Sequence, residues 1–224
     1  MILRGNLPRL IAEAEASARV LDVGGWHNPF APATHVIDLG AYASRQVKES
    51  LTPGRAERFT EATWHIQDVC TAPWPYPDKF FDFALCSHIL EDVREPLVVC
   101  SELARVAKRG YIEVPSRARE IFSKARLFRA RAALGNVPEI GFYHHRWMVE
   151  IEGAHLRFLR KTHQLAMHRD FYIRRSELGR KMTEAESGQC LWWDGAFTAA
   201  EVFDLSDEDL ASYKRKALAA LKSR

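Results

Sequence analysis

The feature that most constrains this chain is a series of short apolar runs in its first half, each closing on an acid or a polar pair. Arg19-Val20-Leu21-Asp22-Val23 ends at Gly24-Gly25, and His35-Val36-Ile37-Asp38 ends on a second acid. Thr63-Trp64-His65-Ile66 is followed by Asp68, and Phe80-Phe81-Asp82-Phe83-Ala84-Leu85-Cys86 by Ser87-His88. Gly110-Tyr111-Ile112-Glu113-Val114 is the fifth run. Runs this short, rich in branched and aromatic residues, are strands rather than helices. Between the last two, residues 96–107 place Leu97, Cys100, Leu103, Ala104 and Ala107 on one helical face. Residues 7–18 do the same with Leu7, Leu10, Ile11, Ala14 and Ala18, and Pro8 stands near the start.

Strands alternating with helices predict an α/β fold with a mostly parallel central sheet flanked by helices. Ligands of such sheets bind beyond the carboxyl ends of the strands. Asp22, Asp38, Asp68 and Ser87-His88 all fall there, which marks one edge of the sheet as the candidate site. Composition agrees with a packed domain: 47% of the 224 residues are hydrophobic and 27% charged. A net charge of +3 is too even to point to nucleic acid. No apolar run approaches the roughly 20 residues that span a bilayer. The first residues show no secretory leader pattern. Cys70, Cys86, Cys100 and Cys190 form no C-x-x-C pair, so reduced thiols in a cytoplasmic protein are expected.

In the second half, residues 116–134 are expected to form a helix with apolar Ile121, Phe122, Ala125 and Phe128. Its other positions are basic: Arg117, Arg119, Lys124, Arg126, Arg129 and Arg131. Residues 142–151 and 155–162 are expected to pair as a β-hairpin turning at Glu152-Gly153. Two helices follow, one from Thr183 with Glu186 completing a capping box, and one over 206–222. The latter is acidic early and basic late, which matches the helix dipole. With no repeat, linker or low-complexity tract, 1–224 is expected to be one domain: 19–115 a cofactor-binding core, and 116–224 an acceptor-side, sheet-completing region.

Val20-Leu21-Asp22-Val23-Gly24-Gly25 resembles the first motif of the class I S-adenosylmethionine-dependent methyltransferases. A ligand lying on the backbone needs residues without Cβ, and an acid nearby can accept from a cationic amino group. A longer stretch is more specific. Asp68-Val69, then Trp74-Pro75-Tyr76-Pro77-Asp78, the fourth strand and Ser87-His88-Ile89-Leu90-Glu91 stand in the family's order. So do the helix from Pro96-Leu97 and the turn Lys108-Arg109-Gly110. The resemblance covers about 19–115. It implies a Rossmann-like methyltransferase fold with S-adenosylmethionine as cofactor, and a C-terminal β-hairpin and helical additions beyond it. By that resemblance Asp22, Gly24, Gly25 and Asn28 line the methionine end, and Asp38 accepts the ribose hydroxyls. Asp68 takes the adenine amino group, Val69 packs on the ring, and Ser87 and His88 stand where donor meets acceptor.

The family's later loop glycines are replaced by Trp26-His27-Asn28. The short Asn28-Pro29-Phe30-Ala31-Pro32 segment cannot be a regular helix, so the first crossover helix is expected to be missing. This resembles a subgroup whose Gly-Gly loop runs into Asn-Pro. The loop also lacks the full G-x-G-x-x-G of a nicotinamide site, which argues against an oxidoreductase.

The implied function is methyl transfer to a small molecule, at oxygen or nitrogen. The alternative is a catalytically inactive methyltransferase-like protein that binds or scaffolds. Histidine suits removal of an acceptor proton near neutral pH. His88 is the first candidate base, and His144 or His145 the second. Adjacent residues of a strand face opposite ways, so His144-His145 is expected to supply no metal site. The basic helix could gather an anionic acceptor, although solvated surface charge is the commoner outcome. Trp147, Trp192 and Trp193 could stack on an acceptor or belong to the core. An oligomer remains open; a membrane partner is not expected.

Overall fold

The computed structural model describes residues 2–45, 52, 54–123, 140–162, 171–203 and 206–222. Strands β1 (Val20–Val23), β2 (His35–Asp38), β3 (Trp64–Ile66), β4 (Phe83–Ser87) and β5 (Arg109–Pro115) are the five expected. They lie in one six-stranded sheet ordered β10-β5-β4-β1-β2-β3, parallel except for β10 (Gly188–Asp194). Helix α1 (Leu7–Glu15) precedes β1, and α2 (Pro96–Val106) joins β4 to β5. Residues 24–34, between β1 and β2, contain turns and no helix, as the Asn-Pro-rich stretch requires.

Alternation along each strand sorts side chains onto two faces. Val20, Val36, Phe83, Leu85 and Tyr111 pack with Leu10 and Ala14 of α1. Leu21, Val23, Ala84, Cys86, Ile112 and Val114 pack on the other face with Val99, Cys100 and Leu103 of α2. That second face is also covered by a smaller sheet ordered β11-β8-β7, made of β7 (Trp147–Glu152), β8 (His155–Arg160) and β11 (Thr198–Val202). Trp147, Val149, Leu156 and Phe158 face inward to α2 and the main sheet. Met148 and Leu159 face outward to Leu210, Tyr213 and Ala217 of the last helix, Asp207–Lys222. Strands β7 and β8 are therefore covered on both sides along much of their length, while β11 is the partly exposed edge.

Two local devices hold the motif-rich segment. Arg105 on α2 binds the carbonyls of Trp74 and Tyr76 and the carboxylates of Asp78 and Glu102, fastening the Trp-Pro-Tyr-Pro-Asp turn to the helix. Lys79, at φ +53°, donates to the carbonyls of Ala104 and Ala107, satisfying the C-terminal end of α2.

The second half departs from expectation in three places. Where the helix was expected from 116, the described residues 116–123 form a single turn, α3 (Arg117–Glu120), followed by strand β6 (Phe122–Ser123), which pairs with β9 (Ile173–Arg174). Residues 124–139, and with them Lys124, Ala125, Arg126, Phe128, Arg129 and Arg131, lie outside the described residues. The hairpin is present, but β7 begins at Trp147 and residues 142–146 form a turn. Thr183 and Glu186 do form the capping box, on a one-turn helix (Glu184–Ser187) that leads directly into β10. Strand β10 was not legible, because its partner β5 lies far away in the chain. Among the described residues the remaining α-helices are the short α4 (Arg175–Leu178) and α5 (Glu184–Ser187) and the long α6 (Asp207–Lys222).

Strand β5 approaches its neighbours most closely at Gly110, where a Cβ would stand 2.4 Å from the Ala84 carbonyl and 2.8 Å from the Trp193 ring. Backbone on one side and a buried ring on the other leave little room to give. Gly110→Ala should destabilise the protein by about 1–3 kcal/mol. The urea unfolding midpoint measures it, and an unchanged midpoint would show that the sheet can widen there.

Candidate functional site

Register places the three acids of the first half together. Asp22 pairs with Val36, and Asp38 with Ile66, on adjacent parallel strands. Asp68 follows β3 by two residues, so all three stand along the carboxyl edge of β1-β2-β3. Gly24 has φ +78° and donates from its N–H to the Ile37 carbonyl (2.9 Å). A Cβ on Gly25 would lie 2.5 Å from Asp22 Oδ2. The two glycines thus fold the loop back over the Asp22 carboxylate, and Asn28 lies half-buried in the same loop.

Asp22 is buried, and its Oδ2 accepts from the Phe30 N–H at 2.8 Å. Burial raises its pKa to about 7; the Phe30 bond opposes this and the neighbouring Asp38 adds to it. Asp38 accepts from the N–H of Trp26 (3.1 Å) and of Gly40 (2.7 Å), and burial raises its pKa as well. Asp68 accepts from the Cys70 N–H and pairs with Arg94 at 2.9 Å. Val69 points into the core, where its carbonyl accepts from Trp74 Nε1. At the end of β4 the Ser87 hydroxyl is buried without a hydrogen-bond partner.

A cleft of about 460 Å³ opens beside this edge, over the ends of β4 and β5. His88, Glu91, Asp92, Glu113, Arg119, Phe142, His144 and His145 line it with Ile2, Leu3 and Glu184. Ser87 pairs with Glu113 across the sheet, and His88 follows it in a left-handed conformation (φ +55°). That turn aims the imidazole back between two carboxylates. Nδ1–H donates to Glu91 (3.0 Å) and Nε2–H to Glu113 (3.2 Å). Burial opposes the charge, but the hydrogen bonds to Glu113 and Glu91 outweigh it and raise the His88 pKa to about 9. At neutral pH the ring is an imidazolium with both N–H groups committed. The candidate base His88 is thus held at both ring nitrogens, by Glu91 and by Glu113, and offers no free lone pair to the cleft in this geometry.

His144 and His145 also depart from expectation. They lie on the turn before β7, so the rule of opposite strand faces does not apply. Their ring centroids are 4.6 Å apart. His145 is buried, and its Nδ1 bonds Glu120 Oε1 at 2.5 Å, while Glu120 Oε2 accepts from Lys161 at 2.8 Å. His144 is exposed at the mouth of the cleft.

The tryptophans belong to the core rather than to a ligand surface. Trp147 donates to the Val93 carbonyl, Trp193 packs on Phe197, and Trp192 lies against Tyr111 with Arg9 over its outer face. Of the described basic residues after 116, Arg117 is consumed by Glu150 and Glu152, and Arg119 lies over the Phe142 ring inside the cleft. Sequence reasoning missed Glu113 and Glu120. An acid inside the apolar run of β5 was a usable signal for the first; nothing local marked the second.

Residues 26–112 match the family model of a methyltransferase domain. Over that stretch, less than half of its length, the chain is similar to methyltransferase domains. S-adenosylmethionine is the cofactor that the acid-lined edge was expected to hold. The match begins within the loop over Asp22 and ends in β5, so it contains Asp38, Asp68, Ser87 and His88. Among solved structures, the N-terminal domain of EvdMO1, determined with S-adenosylhomocysteine and D-fucose, is similar at 20% identity. That likeness covers 51% of this chain and 51% of the other, with a TM-score of 0.35. The cyclase SpnF is similar at 22% identity over 50% of this chain and 45% of its own, with a TM-score of 0.34. A S-adenosylmethionine-dependent methyltransferase from Methanosarcina mazei is 14% identical over 59% of this chain and 81% of its own, with a TM-score of 0.33. The chain spans about half the length of the first of these structures. No curated protein matches it significantly. No helix among the described residues is long and apolar enough to cross a membrane.

The His88 clamp makes stability pH-dependent. Its folded-state pKa is raised from 6.5 to about 9. The stabilisation is therefore complete below pH 6.5 and is lost as the pH rises through 9. His88→Gln leaves Glu91 and Glu113 buried without their counter-charge, and should cost about 3 kcal/mol near neutral pH. Thermal midpoints of the two proteins should converge above pH 9; a gap that stays constant with pH would rule out the charged clamp.

Proposed function

We propose that this chain transfers the methyl group of S-adenosylmethionine to an oxygen or nitrogen of a small molecule seated in the cleft beside His88. The reading is carried by two half-sites that meet on one sheet edge. Three carboxylates stand over β1-β2-β3, and a cleft with its own charged groups stands over β4-β5. The residues present fit the cofactor. The buried, unpartnered Ser87 hydroxyl sits between the halves, and the glycine turn gives the close backbone approach that an adenosyl ligand needs.

Asp38 would hold the ribose hydroxyls, Asp68 the adenine amino group, with Val69 beneath the ring. Asp22, Gly24, Gly25 and Asn28 would shape the methionine end, and Ser87 and His88 the junction with the acceptor. When bound, the cofactor supplies an already activated methyl group on a sulfonium. The protein has to align, exclude water and take up a proton where the acceptor carries one. His88 orients from its clamp. His144, exposed at the cleft mouth, takes the proton in this reading. Arg119 is the cation available to an anionic acceptor. Residues 19–115 then act as the cofactor half, and 116–224 as the acceptor half, of one domain. Four free cysteines support a reducing, cytoplasmic setting.

A second reading, a binding or scaffolding module without turnover, is favoured by one observation. The Ile89 side chain covers Gly24, so closely that a Cβ there would meet it at 2.0 Å. Titration calorimetry with S-adenosylmethionine, then mass-shift screening of hydroxylated and amino acceptors, separates the two. No heat with the cofactor would end the first reading and leave the scaffold; binding without any methylated product would leave the binding module.

Asp22 gives the cofactor half its own test. A cationic ligand favours ionised Asp22, whose pKa stands at about 7 without it. Affinity for S-adenosylmethionine should rise as the pH increases through 7, with proton release on binding. Asp22→Asn should weaken binding by about tenfold or more. It should also raise the thermal midpoint at alkaline pH, because it removes a buried charge. Calorimetry in buffers of different ionisation enthalpy reads the proton count. A pH-independent affinity would take Asp22 out of the site.

A further inference from the structure

The turn before β7 and the turn after β4 are stitched together by the Glu91 carbonyl. It accepts from the N–H of Arg146 at 2.7 Å and of Trp147 at 3.1 Å. The stitching brings Asp92 against His144 and His145, and one ligand-type atom from each of the three lies within 4.8 Å of the others. The geometry points to a divalent-cation site formed by Asp92, His144 and His145 at the mouth of the cleft, of the zinc, cobalt or manganese class.

Two observations separate this cluster from a chance grouping. The first is the orientation of His145. Its Nδ1 is committed to Glu120, which Lys161 holds in turn, so the ring presents Nε2 to the cleft. Nε2 stands 3.9 Å from Asp92 Oδ1, too far for a hydrogen bond. It is a distance that a shared cation can bridge. A carboxylate on the far ring nitrogen is the arrangement that fixes the tautomer of a metal-bound histidine and raises its basicity. The second is Glu91 Oε2, buried on the cleft wall without a hydrogen-bond partner. An acceptor aimed at the same space is suited to a water or hydroxyl carried by a cation.

Bonds of about 2.0–2.1 Å would bring tetrahedral ligand atoms to roughly 3.4 Å from one another. The cluster must therefore close by up to about 1.4 Å, through rotation of the exposed Asp92 and His144 side chains. Two imidazoles and one carboxylate suit borderline cations better than magnesium or calcium. Three protein ligands leave a position open toward the cleft, the pattern of a site that binds a further small ligand rather than of a closed structural one. Its use on a methyl acceptor rests on the methyltransferase reading, and with the cation bound a water on it would replace His144 as the proton acceptor; binding of the cation does not rest on that reading.

The test uses full-length, tag-free protein stripped with a chelator and titrated with zinc, and separately with cobalt. One equivalent of zinc is expected to bind with micromolar or tighter affinity, and cobalt is expected to develop a visible d–d band. His144→Ala and Asp92→Asn alter exposed groups and leave the core intact; each should weaken zinc binding by about tenfold or more. Glu120→Gln should weaken it less while keeping the stoichiometry. Absence of a saturable one-to-one site, or affinity unchanged in both His144→Ala and Asp92→Asn, overturns the proposal. Titration of S-adenosylmethionine in the presence of chelator is read alongside. Heat there with no zinc binding sinks the cation site alone, and zinc binding with no cofactor heat sinks the methyltransferase reading alone.

Discussion

The architecture around the cleft depends on one buried ionic arrangement, the His88 imidazolium between Glu91 and Glu113. Glu113 gathers more than His88: the Leu3 N–H donates to both of its oxygens, and the Tyr111 hydroxyl donates to it as well. One carboxylate therefore ties the first residues of the chain, strand β5 and the loop after β4 into a single corner. Glu91 extends the corner by its main chain, where its carbonyl starts β7. Breaking such a cluster is expensive, because each partner left behind is a charge without water. This is why a positive φ is tolerated at His88: the strain of a left-handed non-glycine residue is offset by two charge-assisted hydrogen bonds.

The first half was legible because its information is local. Each parallel strand is an apolar run, α2 shows its own period, and the polar residues needed at the sheet edge are the ones that end the runs. The absent crossover helix was equally visible, since prolines forbid it whatever surrounds them. The second half is organised by distant partners. Gly188–Asp194 holds a short apolar run, Cys190 to Trp193, but only β5 turns it into the antiparallel edge of the main sheet. Phe122–Ser123 interrupts what reads as a basic amphipathic helix because Ile173 and Arg174 offer a strand to pair with. Local propensity loses where a tertiary partner satisfies the backbone instead.

The site was half legible for the same reason. Asp22, Asp38 and Asp68 sit at strand ends and could be placed from the alternation alone. The acceptor side could not, because its groups come from segments that meet only in the fold: β4, β5, the α3 turn and the turn before β7. The assumption of a strand at His144-His145 does not hold, because β7 begins at Trp147, so the rule that neighbours face opposite ways does not bear on this pair. Period arguments about which side chains share a face are only as good as the boundary of the element.

The two halves of the edge also differ electrostatically, and the difference has a direction. On the donor side, burial raises the pKa of both Asp22 and Asp38, so the protein holds negative charge there at a cost. On the acceptor side, each buried carboxylate already has a cation or a ring: Glu91 and Glu113 share His88, and Glu120 has Lys161 and His145. A fold that needed only stability would replace Asp22 with a neutral residue able to accept from Phe30. Retaining an uncompensated carboxylate beneath a glycine turn is consistent with a ligand that brings positive charge of its own, since such a ligand recovers in binding what the apo protein gives up in stability. Over β4 and β5, by contrast, Glu91, Glu113 and Glu120 are each already bonded to a cation or a ring, so a cationic ligand would recover less there.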